Sequence, residues 1–481
     1  MTVSVRGGWP PSWVSTMRCS RRRWLCPAAG TSVRTGCWTT RTRALSGCGW
    51  RCGRRSSPIT PRGDMDHTRR LAISAKELAA RSGLDDLELV SLALEGLALV
   101  GLGAVREGMR LLDEATAAAV SGDISELKAV AATCCFMVFA CERVRDVDRA
   151  SQWCDQLKAF CRRNDMRAYL AFCRAHQASV LIARGRWREA DEQLASCLDA
   201  LRARVAWSLT IFERLGELRR RQGRLPEARE QFARAVPHPG GVLGAARVAV
   251  DEGEFDVALD LVEGLLRGIS ARDRIERVAA LEVLVRARCA AGGPPDAVAA
   301  AVSELAAVAK IVGTDCLLAT ASHSSGMMAL AARDAVVANE LLRDARDRYE
   351  RAGLPYEASV VALDRVAALR ALDRPHAALT EARRARDSLH SIGAVGQADR
   401  AETIVRELTG ADDDESGPGT LSPRETEVLV LLARGLSNQQ IADELTVSRH
   451  TVRRHVSNLL TKLGVESRTA AAAHAFEHKL V

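Results

Sequence analysis

The sequence of 481 residues predicts an all-α protein, in which an α-solenoid of helix pairs is followed by a small four-helix domain. Apolar residues make up 47% of the chain and aromatic residues only 4%, so Ala, Leu and Val must fill the interior. Such an interior favours closely packed helices over sheets. A turn followed by a small residue recurs at intervals of roughly 40 residues through the middle of the chain. Near the C-terminus, short helical patterns follow one another with their start signals intact.

Residues 1–64 differ in composition from the rest of the chain. They contain twelve Arg but no Lys, and they hold five of the eight Trp and five of the 14 Cys. They show neither helical nor alternating periodicity. An Arg-rich arm that binds nucleic acid is one interpretation. We favour another: the segment is disordered or mis-translated from GC-rich DNA, and the natural chain starts near Met65 or continues upstream in another frame.

The overall charge of +8 comes from this first segment. From Met65 onward the chain has 56 basic and 59 acidic residues. The net charge of the whole chain is therefore no argument for nucleic-acid binding, and only local charge can supply one.

Residues 65–409 are predicted to be helical repeats. The clearest copies place a glycine five positions before a small residue, as in Gly185 and Ala190, or Gly223 and Ala228. The small residues of all copies are Gly108, Ala150, Ala190, Ala228, Ala258, Ala297, Ala338 and Ala378, spaced by 38 to 42 residues except for one interval of 30. Glycine lets the first helix stop, and the small residue lets the second helix pack closely. An irregular all-helical domain with coincidental spacing is the alternative. The turn resembles that of tetratricopeptide repeats, in the longer form found in bacterial regulators.

Residues 410–420 are predicted to be a linker. They contain four consecutive acidic residues, three Gly and one Pro, a composition that cannot form a core. We expect them to tether the last domain flexibly.

Residues 421–481 are predicted to form the four-helix domain. Ser422 and Glu425 make a capping box with Pro423 at the first helical position, and Ser437 and Gln440 make a second one. Ser448 can cap a third helix, and a fourth follows from residue 467 to 478. Two short helices joined by a tight turn are the frame of a helix-turn-helix DNA reader.

The third helix of this domain has an unusual charge. From Thr446 to Val465 there is no Asp or Glu, although charged residues make up 27% of the chain. The same window carries Arg449, Arg453, Arg454 and Lys462. Cations near the start of a helix oppose its dipole, whereas a facing polyanion would make them favourable. A solvated basic face is the alternative, but the position on a well-capped helix pair favours DNA.

This stretch resembles the C-terminal DNA-binding domain of LuxR-type bacterial transcription regulators. The matching pieces are Leu421-Ser422-Pro423-Arg424-Glu425, Glu427-Val428-Leu429, Ala433-Arg434-Gly435, Ser437-Asn438, Ile441-Ala442, Leu445, Ser448, Thr451-Val452, His455, Asn458, Lys462-Leu463, Val465 and Arg468. Gln440 and Arg453 depart mildly from the family pattern, which more often has Glu and Lys there. The resemblance covers only the C-terminal part of the chain.

The apolar stripe of the third helix and the resemblance together predict its contacts with double-stranded DNA. Val452, Val456 and Leu459 must face the domain core, so Arg453, Arg454 and Ser457 turn outward, where similar domains read bases. The residues predicted to contact phosphates are Ser437, Asn438, Ser448, Thr451 and Lys462, and Arg449 is a further predicted DNA contact. The resemblance also implies that the fourth helix joins two copies into a homodimer on DNA.

Several classes of function lack their signatures in the sequence. No Gly-x-x-x-x-Gly-Lys-Ser/Thr loop occurs, and the His residues show no metal-ligand or triad spacing. The longest apolar run, residues 129–141, is shorter than the roughly 20 residues of a membrane span. We predict a cytoplasmic protein that is not an enzyme, binds no cofactor or metal and has no membrane partner. Its cysteines after Met65 should be buried free thiols, with redox sensing by Cys134 and Cys135 as the alternative.

The leading hypothesis is a sequence-specific transcription regulator whose helical repeats sense a small molecule or bind a protein. A fragment of a MalT-like ATP-dependent regulator that lacks its NTPase module is the second hypothesis. An adaptor whose helix-turn-helix is vestigial is the third. The sequence does not identify the operator, the inducing signal or the direction of regulation.

Overall fold

The computed structural model describes residues 65–121, 126–201, 205–236, 238–292, 295–409, 421, 423–445, 449–465 and 467–477. The predictions for segments 1–64 and 410–420, and those for the caps at Ser422 and Ser448, lie outside these residues. All regular elements in the described part of the chain are α-helices, which confirms the all-α class.

Eighteen of the described helices make up the repeat region. Their bounds are α1 Met65–Arg81, α2 Asp85–Leu102, α3 Val105–Ser121, α4 Leu127–Arg143, α5 Val147–Arg163, α6 Arg167–Ala183, α7 Trp187–Leu201, α8 Val205–Arg221, α9 Leu225–Ala235, α10 Pro239–Asp251, α11 Phe255–Gly268, α12 Arg274–Ala290, α13 Pro295–Val312, α14 Asp315–Ala331, α15 Ala335–Arg351, α16 Pro355–Ala371, α17 Pro375–Ile392 and α18 Val395–Thr409.

Each helix pair turns at a residue with a left-handed backbone, five positions before its small residue. Glycine occupies this position in most pairs, for example Gly185 and Gly223 with φ of +76° and +80°. Arg145, Arg333 and Asp373 hold the same conformation where glycine is missing, with φ of 55°, 60° and 53°. The small residues that the structure shows to be buried are Gly108, Ala150, Ala190, Ala228, Ala258, Ala338 and Ala378. The predicted repeat is confirmed, and it extends to the copies without glycine.

Small residues are needed where the two helices of a pair cross. A Cβ atom added to Gly108 would lie 2.5 Å from the carbonyl oxygen of Gly96. Helices α2 and α3 therefore approach each other at a distance that only glycine permits.

The interval of 30 residues between Ala228 and Ala258 has a structural cause. Helices α9 and α10 contain only 11 and 13 residues, whereas helices such as α14 and α15 contain 17. Pro239 begins α10, and the side chain of His238 accepts a hydrogen bond from the Gly240 amide at 3.2 Å. This proline-started helix shortens one repeat without interrupting the array.

The repeat region is wound tightly enough for successive turns of the superhelix to touch. Thr314 Oγ1 donates to the carbonyl oxygen of Val144 at 2.7 Å, across 170 residues. Arg184 Nη1 donates to the carbonyl oxygens of Ala352 and Gly353 at 2.7 and 3.3 Å. In a simple solenoid each repeat contacts only its neighbours. Here repeats roughly four places apart in the array also touch, and the winding encloses a cavity of about 440 Å³.

The cysteines of the described residues are unpaired thiols, and all of them are buried except the half-buried Cys289. Burial raises the pKa of Cys134, Cys141 and Cys316 to about 12. Since only the thiolate reacts readily, such thiols are inert at neutral pH. The prediction of buried free thiols is confirmed, and the raised pKa of Cys134 disfavours the redox alternative.

Four more helices, α19 (Pro423–Ala433), α20 (Asn438–Glu444), α21 (Arg449–Leu463) and α22 (Arg468–Glu477), form the C-terminal domain. They share a core of their own, formed by Val428, Leu429, Leu431, Leu432, Ile441, Ala442, Val452, Leu459, Ala471 and Ala475. The predicted four-helix domain is confirmed. Among the described helices of the whole chain, none combines the length and the apolar character that crossing a bilayer requires.

Candidate nucleic-acid interface

Helix α20 starts at the predicted capping box. Ser437 Oγ accepts from the Gln440 amide at 3.3 Å, and Gln440 Oε1 accepts from the Ser437 amide at 2.9 Å. These bonds satisfy two amides that the first turn of a helix cannot pair internally. Ile441 and Ala442 then enter the core, while Ser437 stays exposed and Asn438 half-buried at the start of the helix.

Helix α21 packs its apolar stripe into the domain. Val452 and Leu459 are fully buried, and Val456 and Leu460 pack against the same core. Ser457, which lies between them in sequence, is exposed. This alternation leaves one side of the helix free of core contacts, as a helix that enters a DNA groove requires.

The structure does not place every residue predicted to contact DNA. Ser448 lies outside the described residues. The backbone of Arg449, Thr451, Arg453 and Arg454 lies on α21, but their side chains fall outside the described part of the structure. Their roles stay predictions.

Lys462 forms a contact that the sequence analysis missed. Its Nζ donates to Glu425 Oε2 at 2.9 Å, which joins the end of α21 to the start of α19. The Glu425 side chain is only 5% exposed. Removing Lys462 would take a counter-charge away from this buried carboxylate. A phosphate must therefore compete with Glu425 for the Lys462 ammonium.

Arg468 holds the start of α20 in place. Its Nη2 donates to the carbonyl oxygen of Leu436 at 2.7 Å, and its Nη1 donates to Asn438 Oδ1 at 3.5 Å. The guanidinium thus links α22 to the turn before α20 and orients the Asn438 amide. The sequence matched Arg468 to the family pattern but gave it no role, because its partners lie some 30 residues away.

The alanine face of α22 is used inside the domain. Ala471 and Ala475 are fully buried in the core, where α22 packs on α19. On the same helix, the Phe476 side chain is 58% exposed. A dimer formed through α22 would therefore use the face that carries Phe476.

The dimensions and charge of this pair of helices fit DNA. A helix of 15 residues is about 22 Å long and, with its side chains, about 10–12 Å wide. The major groove is about 12 Å wide and admits one such helix. Helix α21 falls in the acid-free window, follows the capped helix α20 and packs against it. The C-terminal domain is a helix-turn-helix domain of the DNA-binding class.

The comparison with known families narrows this class. Residues 419–475 match the luxR family of bacterial regulatory proteins. The domain formed by α19 to α22 is a LuxR-family helix-turn-helix domain, as its motifs indicated. The match covers this part of the chain alone.

Curated relatives share the same part of the chain. The response regulator protein VraR of Staphylococcus aureus is 49% identical over 61 residues, which are 13% of this chain and 29% of the relative. The VraR proteins of Staphylococcus saprophyticus and Staphylococcus epidermidis match with the same identity and coverage. The chain therefore spans less than a third of the length of these relatives.

Solved structures align with much more of the chain but at low similarity. The apo form of RapI covers 73% of this chain and 99% of its own, with 8% identity and a TM-score of 0.35. The Cut9–Hcn1 hetero-tetramer of the APC/C covers 71% and 86%, with 12% identity and a TM-score of 0.31. Scores this low assign no function to the repeats, whose description rests on the helix pairs themselves.

Proposed function

We propose that the protein is a sequence-specific transcription regulator, which binds operator DNA through α21 and receives a signal through its helical repeats. The observation that carries this proposal is the basic, acid-free helix α21 on a LuxR-family domain, with Val452 and Leu459 turned into the core. Counterions released from DNA by such a helix supply binding energy that does not depend on sequence.

Two groups of residues have different roles in this proposal. Arg453, Arg454 and Ser457 read base edges, since an Arg fork matches the O6 and N7 acceptors of guanine. Phosphate contacts come from Ser437, Asn438, Ser448, Thr451 and Lys462, and Arg449 is a further contact with DNA. Phosphate contacts fix the position of the helix but carry no sequence information directly.

The protein binds DNA as a homodimer in this proposal. The exposed Phe476 on α22 provides a large apolar side chain for a contact between two copies, and its burial there would favour association. Two copies would reach half-sites about one helical turn of DNA apart.

The repeats supply the signal by binding an effector, either a small molecule or a protein. The cavity of about 440 Å³ inside the superhelix supports the first possibility, since small-molecule sites are clefts or cavities of about this size.

Salt-dependent DNA binding tests the proposal. The full chain first selects a duplex from a random-sequence library, and fluorescence anisotropy then measures its affinity for that duplex and for a scrambled one. Arg453→Ala should reduce the preference for the selected duplex by roughly 5- to 150-fold, because one bidentate guanine contact contributes about 1–3 kcal/mol. Arg406→Ala on α18, outside the domain, is the matched control and should change neither affinity.

A variant at Lys462 distinguishes phosphate contacts, which position the helix, from contacts that read bases. The comparison uses Lys462→Gln, which removes the positive charge but keeps an amide group that can donate to Glu425. It should weaken binding to both duplexes alike and change the salt dependence by about one charge. If Arg453→Ala lowers both affinities equally, Arg453 acts only through its charge. If the full chain binds no DNA at any salt concentration, the adaptor hypothesis replaces the regulator.

A further inference from the structure

The cavity inside the superhelix is lined by an unusual number of charges. Six arginines line it, namely Arg145, Arg214, Arg220, Arg221, Arg247 and Arg286, and six carboxylates face them. Charged side chains are rarely taken away from bulk water unless each has a partner. Which of them lack a partner is therefore informative about what the cavity can hold.

Most of the carboxylates are already occupied by arginines. Glu217 accepts from Arg220 and from Arg221, at 2.9 and 2.8 Å. The other pairs are Arg220 with Asp251, Arg221 with Glu357, Arg145 with Glu282 and Arg214 with Glu142. Asp146 is the N-cap of α5, where its side chain accepts from the Arg149 amide. These acids have little capacity left for a further cation.

Two of the cavity arginines remain without a strong partner. Among the described residues, Arg247 makes one ion pair, with Glu217 at 3.6 Å, and that carboxylate already accepts from two other guanidinium groups. Arg286, on the neighbouring helix α12, has no hydrogen bond or ion pair to any residue in the described ranges; its charge acts at a distance on Asp364. Both side chains line the cavity, and that of Arg247 is 29% exposed to it.

The pKa of Arg247 also indicates that this side chain lacks a strong partner. Burial lowers the pKa of Arg247, and the nearby charges of Arg220 and Arg145 lower it further, although Glu217 and Glu282 oppose them. An anion beside this guanidinium would relieve the cost of its position.

Buried polar atoms without a hydrogen-bond partner in the cavity lining also favour a ligand that accepts hydrogen bonds. Three such buried atoms belong to cavity residues among the described part of the chain: Arg214 Nε, Arg221 Nη1 and Glu357 Oε2. Two of them are guanidinium donors. The single carboxylate oxygen belongs to a group that Arg221 already neutralises. Buried donors without acceptors cost free energy, which a ligand with acceptor atoms recovers.

The remainder of the lining is apolar. Val180, Ile182, Leu243, Val250, Val283 and Leu354 contribute to it. A bare inorganic anion would leave this surface wet, whereas a ligand with a hydrocarbon part would cover it. No group of three or more His, Cys, Asp or Glu that could hold a metal ion occurs in the described residues.

We propose that this cavity binds a small organic anion, whose carboxylate or phosphate is received by Arg247 and Arg286 while its apolar body rests on the aliphatic lining. Carboxylate and phosphate match the two-donor fork of an arginine. This gives a ligand class to the sensing role proposed above for the repeats. Binding itself does not depend on whether the C-terminal domain binds DNA.

The test measures ligand binding to the full chain without DNA. Isothermal titration calorimetry is run with hexanoate, octanoate, benzoate and phenyl phosphate, each paired with its neutral counterpart hexanol, octanol, benzyl alcohol or phenol, at constant ionic strength in chloride. At least one anion should bind saturably with one site per chain and at least tenfold more tightly than its neutral counterpart. Arg247→Met and Arg286→Met should each lower the affinity for that anion by about tenfold or more, since each removes a charge-assisted contact.

Controls separate loss of the site from loss of the fold. Arg188→Met removes an arginine that is 90% exposed on α7, and it should leave the affinity unchanged. Arg247→Lys keeps a cation in the cavity and should restore part of the affinity. Far-ultraviolet circular dichroism checks that each variant keeps its helical content. The proposal is overturned if no anion binds, if the neutral counterparts bind equally well, or if neither cavity variant weakens binding. Loss of DNA binding in the earlier experiment would leave these results unaffected.

Discussion

Asp364 illustrates how a single buried charge is stabilised in the repeats. Its Oδ2 accepts from His323 Nε2 at 2.9 Å, and its Oδ1 accepts from Arg400 Nη2 at 3.2 Å. Burial alone would raise the pKa of Asp364, but the hydrogen bond and charge of His323, together with Arg400, hold it at about 2. The ionised carboxylate is therefore preferred in the folded state over the unfolded one.

This shift predicts a pH-dependent stability. Because the folded pKa lies below the unfolded value of about 3.9, the contribution of Asp364 is present above about pH 4 and is lost as the pH falls towards 2. His323→Phe should lower the free energy of unfolding by on the order of 2 kcal/mol at pH 7. The difference from the unmodified protein should shrink below pH 4, as measured by urea unfolding from pH 7 to pH 3.

His390→Phe serves as the control, since His390 lies exposed in the last turn of α17. Its effect should be small and independent of pH. A difference in the free energy of unfolding between His323→Phe and the unmodified protein that stays constant from pH 7 to pH 3 would contradict this role of His323.

Contacts of single residues could be predicted where they are local in sequence. The capping box of Ser437 and Gln440 spans three residues, so its pattern is visible in the sequence. The pair of Lys462 with Glu425 spans 37 residues and follows from the packing of α21 on α19. The sequence therefore assigned Lys462 to a DNA phosphate, whereas the folded domain pairs it with Glu425.

At the scale of the helix pair, the left-handed turn is the recurring element. A residue other than glycine in this conformation costs about 1–2 kcal/mol, because its Cβ meets the following carbonyl oxygen. Arg333 holds this position with φ of 60°, and its side chain is exposed. The turn between α14 and α15 is thus strained where other repeats have glycine.

Replacing this residue should stabilise the protein. Arg333→Gly should raise the free energy of unfolding by about 1 kcal/mol, since relief of the backbone strain outweighs the extra freedom of glycine in the unfolded chain. Gly253→Ala is the matched opposite change: its φ is +77°, and a Cβ there would meet no atom within 4 Å. It should lower stability by a similar amount through backbone strain alone. Thermal unfolding of both variants measures these changes in stability. A lower unfolding midpoint for Arg333→Gly than for the unmodified protein would contradict the explanation by backbone strain.

The same turns explain which repeats the sequence showed clearly. Gly185, Gly223 and Gly253 predict the turn from the sequence, because only glycine adopts the left-handed conformation without strain. Arg145 and Asp373 adopt it under the constraint of the packed helices on either side. Asp tolerates this conformation better than most residues, but an Arg side chain does not signal it. The repeats at these positions could be predicted only from the buried alanine that follows.

At the scale of the whole molecule, the superhelix is held together by contacts between distant repeats. Arg184 donates to two carbonyl oxygens in the turn at Ala352 and Gly353, and it also pairs with Asp148. A hydrogen bond from a charged donor contributes about 1.5–3 kcal/mol when it is shielded from water. Such contacts join repeats that a simple solenoid would leave independent.

Removing this contact should loosen a turn that is far away in sequence. Arg184→Ala should increase amide hydrogen exchange in residues 350–357, because their carbonyl groups lose a partner from another superhelical turn. Arg186→Ala is the control, since Arg186 pairs only locally with Glu189 among the interactions described. Exchange measured by mass spectrometry should be unchanged in residues 350–357 of the control. Equal protection of this turn in all three proteins would show that the distant contact does not stabilise it.

The closure of the superhelix, and with it the cavity, could not be predicted from the sequence. The period of the repeat indicates stacked helix pairs, but the pitch depends on small rotations that accumulate from one pair to the next. The arginines of the cavity come from the turn before α5 and from helices α8, α10 and α12, and they are found together only after the winding is known.

The contact between the Met65 amide and Asp273 Oδ1, at 3.2 Å across 208 residues, has a consequence for synthesis. A ribosome adds about 5–20 residues per second, so helix α1 emerges roughly 10–40 s before its partner exists. During this time, the surface of α1 that will later contact the segment around Asp273 is open to chaperones and to neighbouring nascent chains. Tyr356, Glu357 and Val360 supply the last wall of the cavity and are translated later still. A growing chain therefore has no complete cavity until almost all of its repeats have left the exit tunnel.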